Sequence, residues 1–136
     1  MFRALRVDKL ILTHLEQTLR ATLLERWDEI PAIRMIRQDL AGLRARAQAL
    51  AQALGGTVEE GASVIGGGST PEQTLPAWLV VLDVESPAAV AARMRRGEPP
   101  VVARIENDRL VLDPRTIDPA EEEELIGAVR AALVVS

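Results

Sequence analysis

Gly55-Gly56 divides this chain into two halves that follow different periods. Before it, apolar residues recur every three or four positions, the repeat that gives an α-helix one buried face. After it, Val, Ile and Leu gather in short runs bounded by Gly, Pro and Asn-Asp, the pattern of strands and turns. A fold of helices alone or of strands alone satisfies only one half. The expected class is α+β: N-terminal helices followed by a β-β-α-β-β-α small domain, with a mostly antiparallel sheet and helices on one face.

The helical half reads in three pieces. Asp8 is placed to cap a helix running to about Glu25. Leu12, Leu15, Leu19 and Leu23 mark its apolar stripe, and Glu16 and Arg20 form an i,i+4 pair in the favourable order. A short second helix is expected from Pro31, a residue suited to a first helical position. A third follows from about Asp39, with Leu40, Leu43, Ala47, Leu50 and Leu54 on one face. Gly55-Gly56 ends it, because glycine accepts the left-handed backbone of a helix stop.

Beyond the glycines, Thr57 to Ile65 reads as a strand that could break at Gly61, and Trp78 to Val84 as a second. Ser86-Pro87 opens a helix to about Arg96, with Ser86 as N-cap and Gly97 as stop. Val101–Ile105 and Arg109–Leu112 form a hairpin turning at Asn107-Asp108, residue types that tolerate positive φ. Asp118-Pro-Ala-Glu121 is a capping box opening a last helix to about Val134. Residues 1–25 are expected to be a linking helix and residues 26–136 a compact domain.

Composition narrows the function classes. The chain has 136 residues, enough for one domain or a domain with an appendage. Aromatic residues make up only 2%, so the core must be built from Leu, Val, Ile and Ala. Cysteine is absent, which excludes disulfides and thiolate metal sites. No apolar run approaches the ~18 residues of a membrane span, and no signal-peptide pattern follows Met1, so a cytoplasmic protein is expected. The net charge of −4 argues against a dedicated nucleic-acid binder.

Several single features have ordinary structural explanations. His14 has no His or Cys partner at metal-ligand spacing and lies off the leucine stripe. Arg93, Arg95 and Arg96 sit at a helix end, where cations meet the negative end of the dipole. An RNA contact is the alternative there, but the interleaved aromatics of single-strand binders are missing. The Gly66–Ser69 run could cradle a phosphate with backbone N–H groups, yet it lacks the Lys-Ser/Thr of a P-loop. The acids from Glu121 to Glu124 read as a solvated helix start.

Arg3 and Arg6 are the sharpest site candidates. On a helical lead-in their spacing would aim both guanidinium groups at one anion. On an extended lead-in it would not. The segment that holds them, Phe2-Arg-Ala-Leu-Arg-Val-Asp-Lys9, stands with two others: Val64-Ile-Gly-Gly-Gly-Ser-Thr-Pro71 followed by Leu75-Pro76, and Pro100-Val-Val-Ala-Arg-Ile-Glu-Asn-Asp-Arg-Leu-Val-Leu-Asp113. Together they resemble the C-terminal part of the bacterial selenocysteine synthase family, the L-seryl-tRNA(Sec) selenium transferases, from about Phe2 to the end.

The resemblance implies a fold-type I pyridoxal 5'-phosphate enzyme, of which this chain is a fragment. In full length it would convert seryl-tRNA(Sec) to selenocysteinyl-tRNA(Sec) with selenophosphate, by loss of water and addition of selenium. It implies that Arg3 and Arg6 bind anionic groups of the reacting species. It also implies that the cofactor lysine lies upstream in a Gly-Asp-Lys type segment, so Lys9, the chain's only lysine, is not that residue. The fragment alone is then expected to be inactive, and the whole enzyme a homo-oligomer with no membrane association. Two other readings stand beside it: the small domain of a related fold-type I lyase or transferase, and a free-standing α+β interaction module.

Overall fold

The computed structural model describes residues 7–65 and 73–134. They fall into two compact units, Met1–Arg37 and Gln38–Ser136.

The first unit contains α1 (Lys9–Leu23), a 3₁₀ turn at Trp27–Glu29 and α2 (Pro31–Ile36). Asp8 caps α1 as expected, its carboxylate accepting from the Ile11 N–H at 2.9 Å. The helix stops two residues earlier than Glu25. Glu25 takes a left-handed φ of 56°, its N–H bonds the Thr22 carbonyl, and the Arg26 N–H bonds the Ala21 carbonyl. That pair of reversed bonds closes a helix end, and here it forms on a residue other than glycine. The Glu16–Arg20 pair is present at 3.2 Å, and both side chains are exposed.

The second unit runs α3 (Leu40–Leu54), β1 (Thr57–Val64), β2 (Thr74–Leu82), α4 (Pro87–Arg96), β3 (Arg104–Glu106), β4 (Arg109–Leu112) and α5 (Glu122–Val134), with 3₁₀ turns at Pro114–Thr116 and Pro119–Glu121. The strand order is β1-β2-β4-β3, and every pairing is antiparallel. The α+β class and the β-β-α-β-β-α order match the sequence expectation.

Asp39 caps α3, accepting from the Gly42 N–H at 2.7 Å, and Gly55 ends it at φ 72°. Leu43, Ala47, Leu50 and Leu54 are buried as expected, but Leu40 in the first turn is exposed; Ala51 is buried with them. On β2, β4, α4 and α5 they meet Val80, Leu82, Leu110, Leu112, Val90, Met94 and Val129, which places the helices on one face of the sheet. A second buried cluster, Ala77, Leu79, Val81 and Val111, lies on the opposite face. Strand β2 is therefore apolar on both sides, which is why its sequence runs nearly continuous in Leu and Val.

The strand ends differ from the sequence reading for reasons of pairing. β1 does not break at Gly61, which pairs with Ala77. β2 starts at Thr74 rather than Trp78, because β1 pairs with it along its whole length, from Thr57↔Val81 to Val64↔Thr74. Pro76 is tolerated there, since β4 joins β2 only from Val80 onward. The hairpin turns at Asn107 and Asp108, with φ of 50° and 58°, as expected for a two-residue turn. Val101–Ala103 does not join it. The Val101 N–H is committed to the Met94 carbonyl at 2.9 Å, which ties this segment to α4 instead.

The caps also carry corrections. Ser86 holds the N-cap position of α4 without a side-chain hydrogen bond, and Gly97 ends that helix in extended conformation rather than left-handed. The Asp118 side chain accepts from the Ala120 N–H at 3.0 Å, and a 3₁₀ turn precedes α5.

Candidate functional site

Arg3 and Arg6 lie outside the described residues, as does the Gly66–Ser69 run. The structure does fix the element that follows the arginines. Asp8 is extended, and α1 begins at Lys9. The register of α1 therefore lends the two arginines no common direction, and the assignment rests on their segment rather than on helical spacing.

Lys9 is exposed in the first turn of α1. A cofactor-bearing lysine needs a cleft that shields its amine beside a phosphate cradle. An exposed helix start by itself supplies neither. His14 is exposed, and among the described residues no group of three or more His, Cys, Asp or Glu could hold a metal ion. The Arg93 Nε donates to the Ala132 carbonyl at 2.8 Å and so joins α4 to α5; Arg95 and Arg96 are exposed. No helix among the described residues is long and apolar enough to cross a membrane.

The polar chemistry inside the second unit centres on Arg115, which sequence reasoning did not single out. It is only 5% exposed. Its Nε donates to the Ser63 hydroxyl at 3.1 Å, and its two terminal nitrogens donate to the Pro76 carbonyl at 2.7 Å and the Gln38 carbonyl at 3.3 Å. One guanidinium thus ties β1, β2 and the lead into α3. Gln38 is also held by Arg46, whose Nη1 donates to the Gln38 Oε1 at 2.8 Å. Arg46 completes its fork on the Glu122 carboxylate at 2.6 Å and the Ile117 carbonyl at 2.7 Å. These donors are consumed by the fold, so this centre is a clamp rather than an open binding site. A sequence signal was present, since Arg115 stands between the apolar run Leu110–Leu112 and Ile117.

Charged side chains also lie on the sheet face that carries the second cluster. Arg109 and Glu59 pair there at 2.6 Å. The hydrogen bonds from Arg109 hold the Glu59 carboxyl below the usual glutamate range; partial desolvation opposes this and the Arg109 charge reinforces it. The same contact raises the Arg109 pKa. On the edge strand, Arg104 reaches the Ala62 carbonyl at 3.3 Å and Glu106 at 3.3 Å. Among the described residues its Nη2 is shielded from water without a hydrogen-bond partner.

The comparisons with known proteins agree with one another. A family model described as L-seryl-tRNA selenium transferase matches residues 1–118. The L-seryl-tRNA(Sec) selenium transferase of Aquifex aeolicus is 42% identical over 123 residues, covering 85% of this chain and 27% of its own length. The protein of the same name from Nitratidesulfovibrio vulgaris is 44% identical over 144 residues, covering 96% of this chain and 30% of its own. That of Maridesulfovibrio salexigens is 40% identical over 145 residues, covering 96% and 31%. The chain spans less than a third of the length of these curated relatives. Matched by the family over most of its residues, and by such relatives nearly end to end, the chain belongs to the L-seryl-tRNA selenium transferase family.

Proposed function

We propose that this chain is the C-terminal domain of an L-seryl-tRNA(Sec) selenium transferase, with residues 1–25 linking it to the rest of the enzyme and residues 26–136 forming the small domain. The observation that carries this reading is the family match over residues 1–118, which takes in the Arg3/Arg6 segment, together with relatives of that name at about 40% identity. The whole enzyme converts seryl-tRNA(Sec) to selenocysteinyl-tRNA(Sec) with pyridoxal 5'-phosphate and selenophosphate. It works in the cytoplasm as a homo-oligomer.

In that enzyme Arg3 and Arg6 bind anionic groups of the reacting species. Two guanidinium groups suit a phosphate-like donor, because each offers a planar pair of N–H bonds to its oxygens. The cofactor lysine is supplied from outside this chain, so the fragment alone is inactive. The test is selenium transfer to seryl-tRNA(Sec) by the full-length protein, with this chain alone as control. Transfer by the full-length protein only is expected. A full-length protein that binds the cofactor and transfers no selenium contradicts the reading.

A further inference from the structure

Arg104 lies on the sheet face away from the helices. The register sets it opposite Val111, a member of the second apolar cluster, on the strand at one edge of the sheet. Its Nη1 donates at 3.3 Å to the carbonyl of Ala62, on the strand at the other edge. Among the described residues Nε and Nη2 find no hydrogen-bond partner, and both are shielded from water. In a guanidinium group these two nitrogens share one side, and an N–H of each points the same way. That is the fork that grips two oxygens of one anion. The unmet donors of Arg104 are therefore one complete binding edge. Other part-buried arginines differ: Arg109 directs both terminal nitrogens at Glu59, and Arg46 commits all three nitrogens to Glu122, Gln38 and Ile117.

Charged donors shielded from water are costly when unpaired and are nearly always matched by an acceptor. Glu106 does not match these. It lies two residues further along the same strand, and its Oε1 comes within 3.3 Å of Nε without forming a hydrogen bond. Its side chain is 45% exposed and so free to swing outward. We propose that the Nε–Nη2 edge of Arg104 is a binding site for an oxyanion, a phosphate or a carboxylate, which takes the place now held by the Glu106 carboxylate. Nη1, tied to Ala62, keeps the fork oriented as the anion arrives. The residues of the site lie wholly on this chain, so anion binding tests it, and it stands or falls apart from selenium transfer.

The direct probe is the Arg104 Nε–H resonance of the isotope-labelled chain, assigned by its loss in Arg104→Lys. It is followed during titration with inorganic phosphate, and separately with acetate, against chloride at the same ionic strength. A saturable shift with a midpoint on the order of 1 mM is expected, and whichever anion gives it identifies the source. In calorimetry Arg104→Lys, which keeps the charge and loses the fork, should weaken binding about tenfold or more. Glu106→Gln, which removes the competing charge, should tighten it about twofold to fivefold. That second change alters a part-exposed side chain, so it serves even if Arg104→Lys fails to fold. No saturable shift by ~100 mM, an equal response to chloride, or unchanged affinity in either variant would each overturn the site. Full-length protein carrying Arg3→Ala and Arg6→Ala should show the same Arg104-dependent binding. Binding by the chain that is lost there would mean that an acidic side chain of the enzyme fills the fork, and would overturn it as a ligand site.

Discussion

Arg109 directs two nitrogens at the two carboxylate oxygens of Glu59, at 2.6 and 3.1 Å. The pair joins β4 to β1 although β2 lies between those strands. The register puts Val81 and Val111 on the same sheet face, so the ion pair bridges over the second apolar cluster.

The pair predicts a specific acid response. The folded pKa of Glu59 lies below its unfolded value. Its contribution to stability is therefore present above the ordinary glutamate pKa of about 4.3 and lost as pH falls through the lower folded value. Thermal melts from about pH 6 to about pH 3, a window that spans that titration, should show a shallower acid decline in Glu59→Gln than in the parent chain. Both groups are partly exposed, so the difference should be small. Parallel declines would show that Glu59 is not held by Arg109.

Arg115→Met should be among the most damaging single changes. It takes the donor from the buried Ser63 hydroxyl and from the part-buried Pro76 and Gln38 carbonyls. Each charge-assisted bond of this kind contributes roughly 1.5–3 kcal/mol, so a loss of about 3 kcal/mol or more is expected in urea denaturation. Arg115→Lys should recover little, because an ammonium group cannot span the three acceptors. A loss below about 1 kcal/mol would remove Arg115 from its role as clamp.

Two glycines should resist alanine for a different reason. A Cβ on Gly56 would stand 2.6 Å from the Val81 carbonyl oxygen, part of a backbone that cannot yield without disturbing β2. A Cβ on Gly61 would run into the Leu79 side chain, which is buried. Overpacking of this kind costs typically about 1–3 kcal/mol. Gly56→Ala should be the worse of the two in denaturant midpoint, since side chains adjust more easily than strands. Equal or negligible losses would contradict the packing described.

The elements that sequence disclosed are those whose cause is local. Asp8 and Asp39 each stand one residue before a helical stretch, and both cap their helices. Gly55 and the Asn107-Asp108 turn supply the positive φ their positions require. What stayed hidden depends on partners far along the chain. The extent of β2 is set by β1, and Val101 leaves the hairpin because Met94 takes its N–H. Arg115 reaches Ser63 and Gln38 across 52 and 77 residues, a distance no short motif encodes. The candidate arginines stand out by their spacing, but their role as anion binders rests on the likeness of their segment to a known family.

Lys9 offers a direct check on where the cofactor is held. Mixing the chain with pyridoxal phosphate and removing the excess should leave no stoichiometric visible band, because Lys9 is exposed at the start of α1. A stable band that disappears in Lys9→Ala would place the cofactor on this chain.

The central claim is tested most directly by selenium-transfer turnover of the full-length protein with selenophosphate, comparing the parent with Arg3→Ala and Arg6→Ala. A charged hydrogen bond to a shielded anion contributes roughly 1.5–3 kcal/mol, so each change should cut turnover between about tenfold and 150-fold. Affinity for seryl-tRNA(Sec) and thermal stability should stay near those of the parent, and the Lys replacements should recover activity only in part. Parental turnover in both alanine variants would contradict the account and leave Arg3 and Arg6 as surface charges.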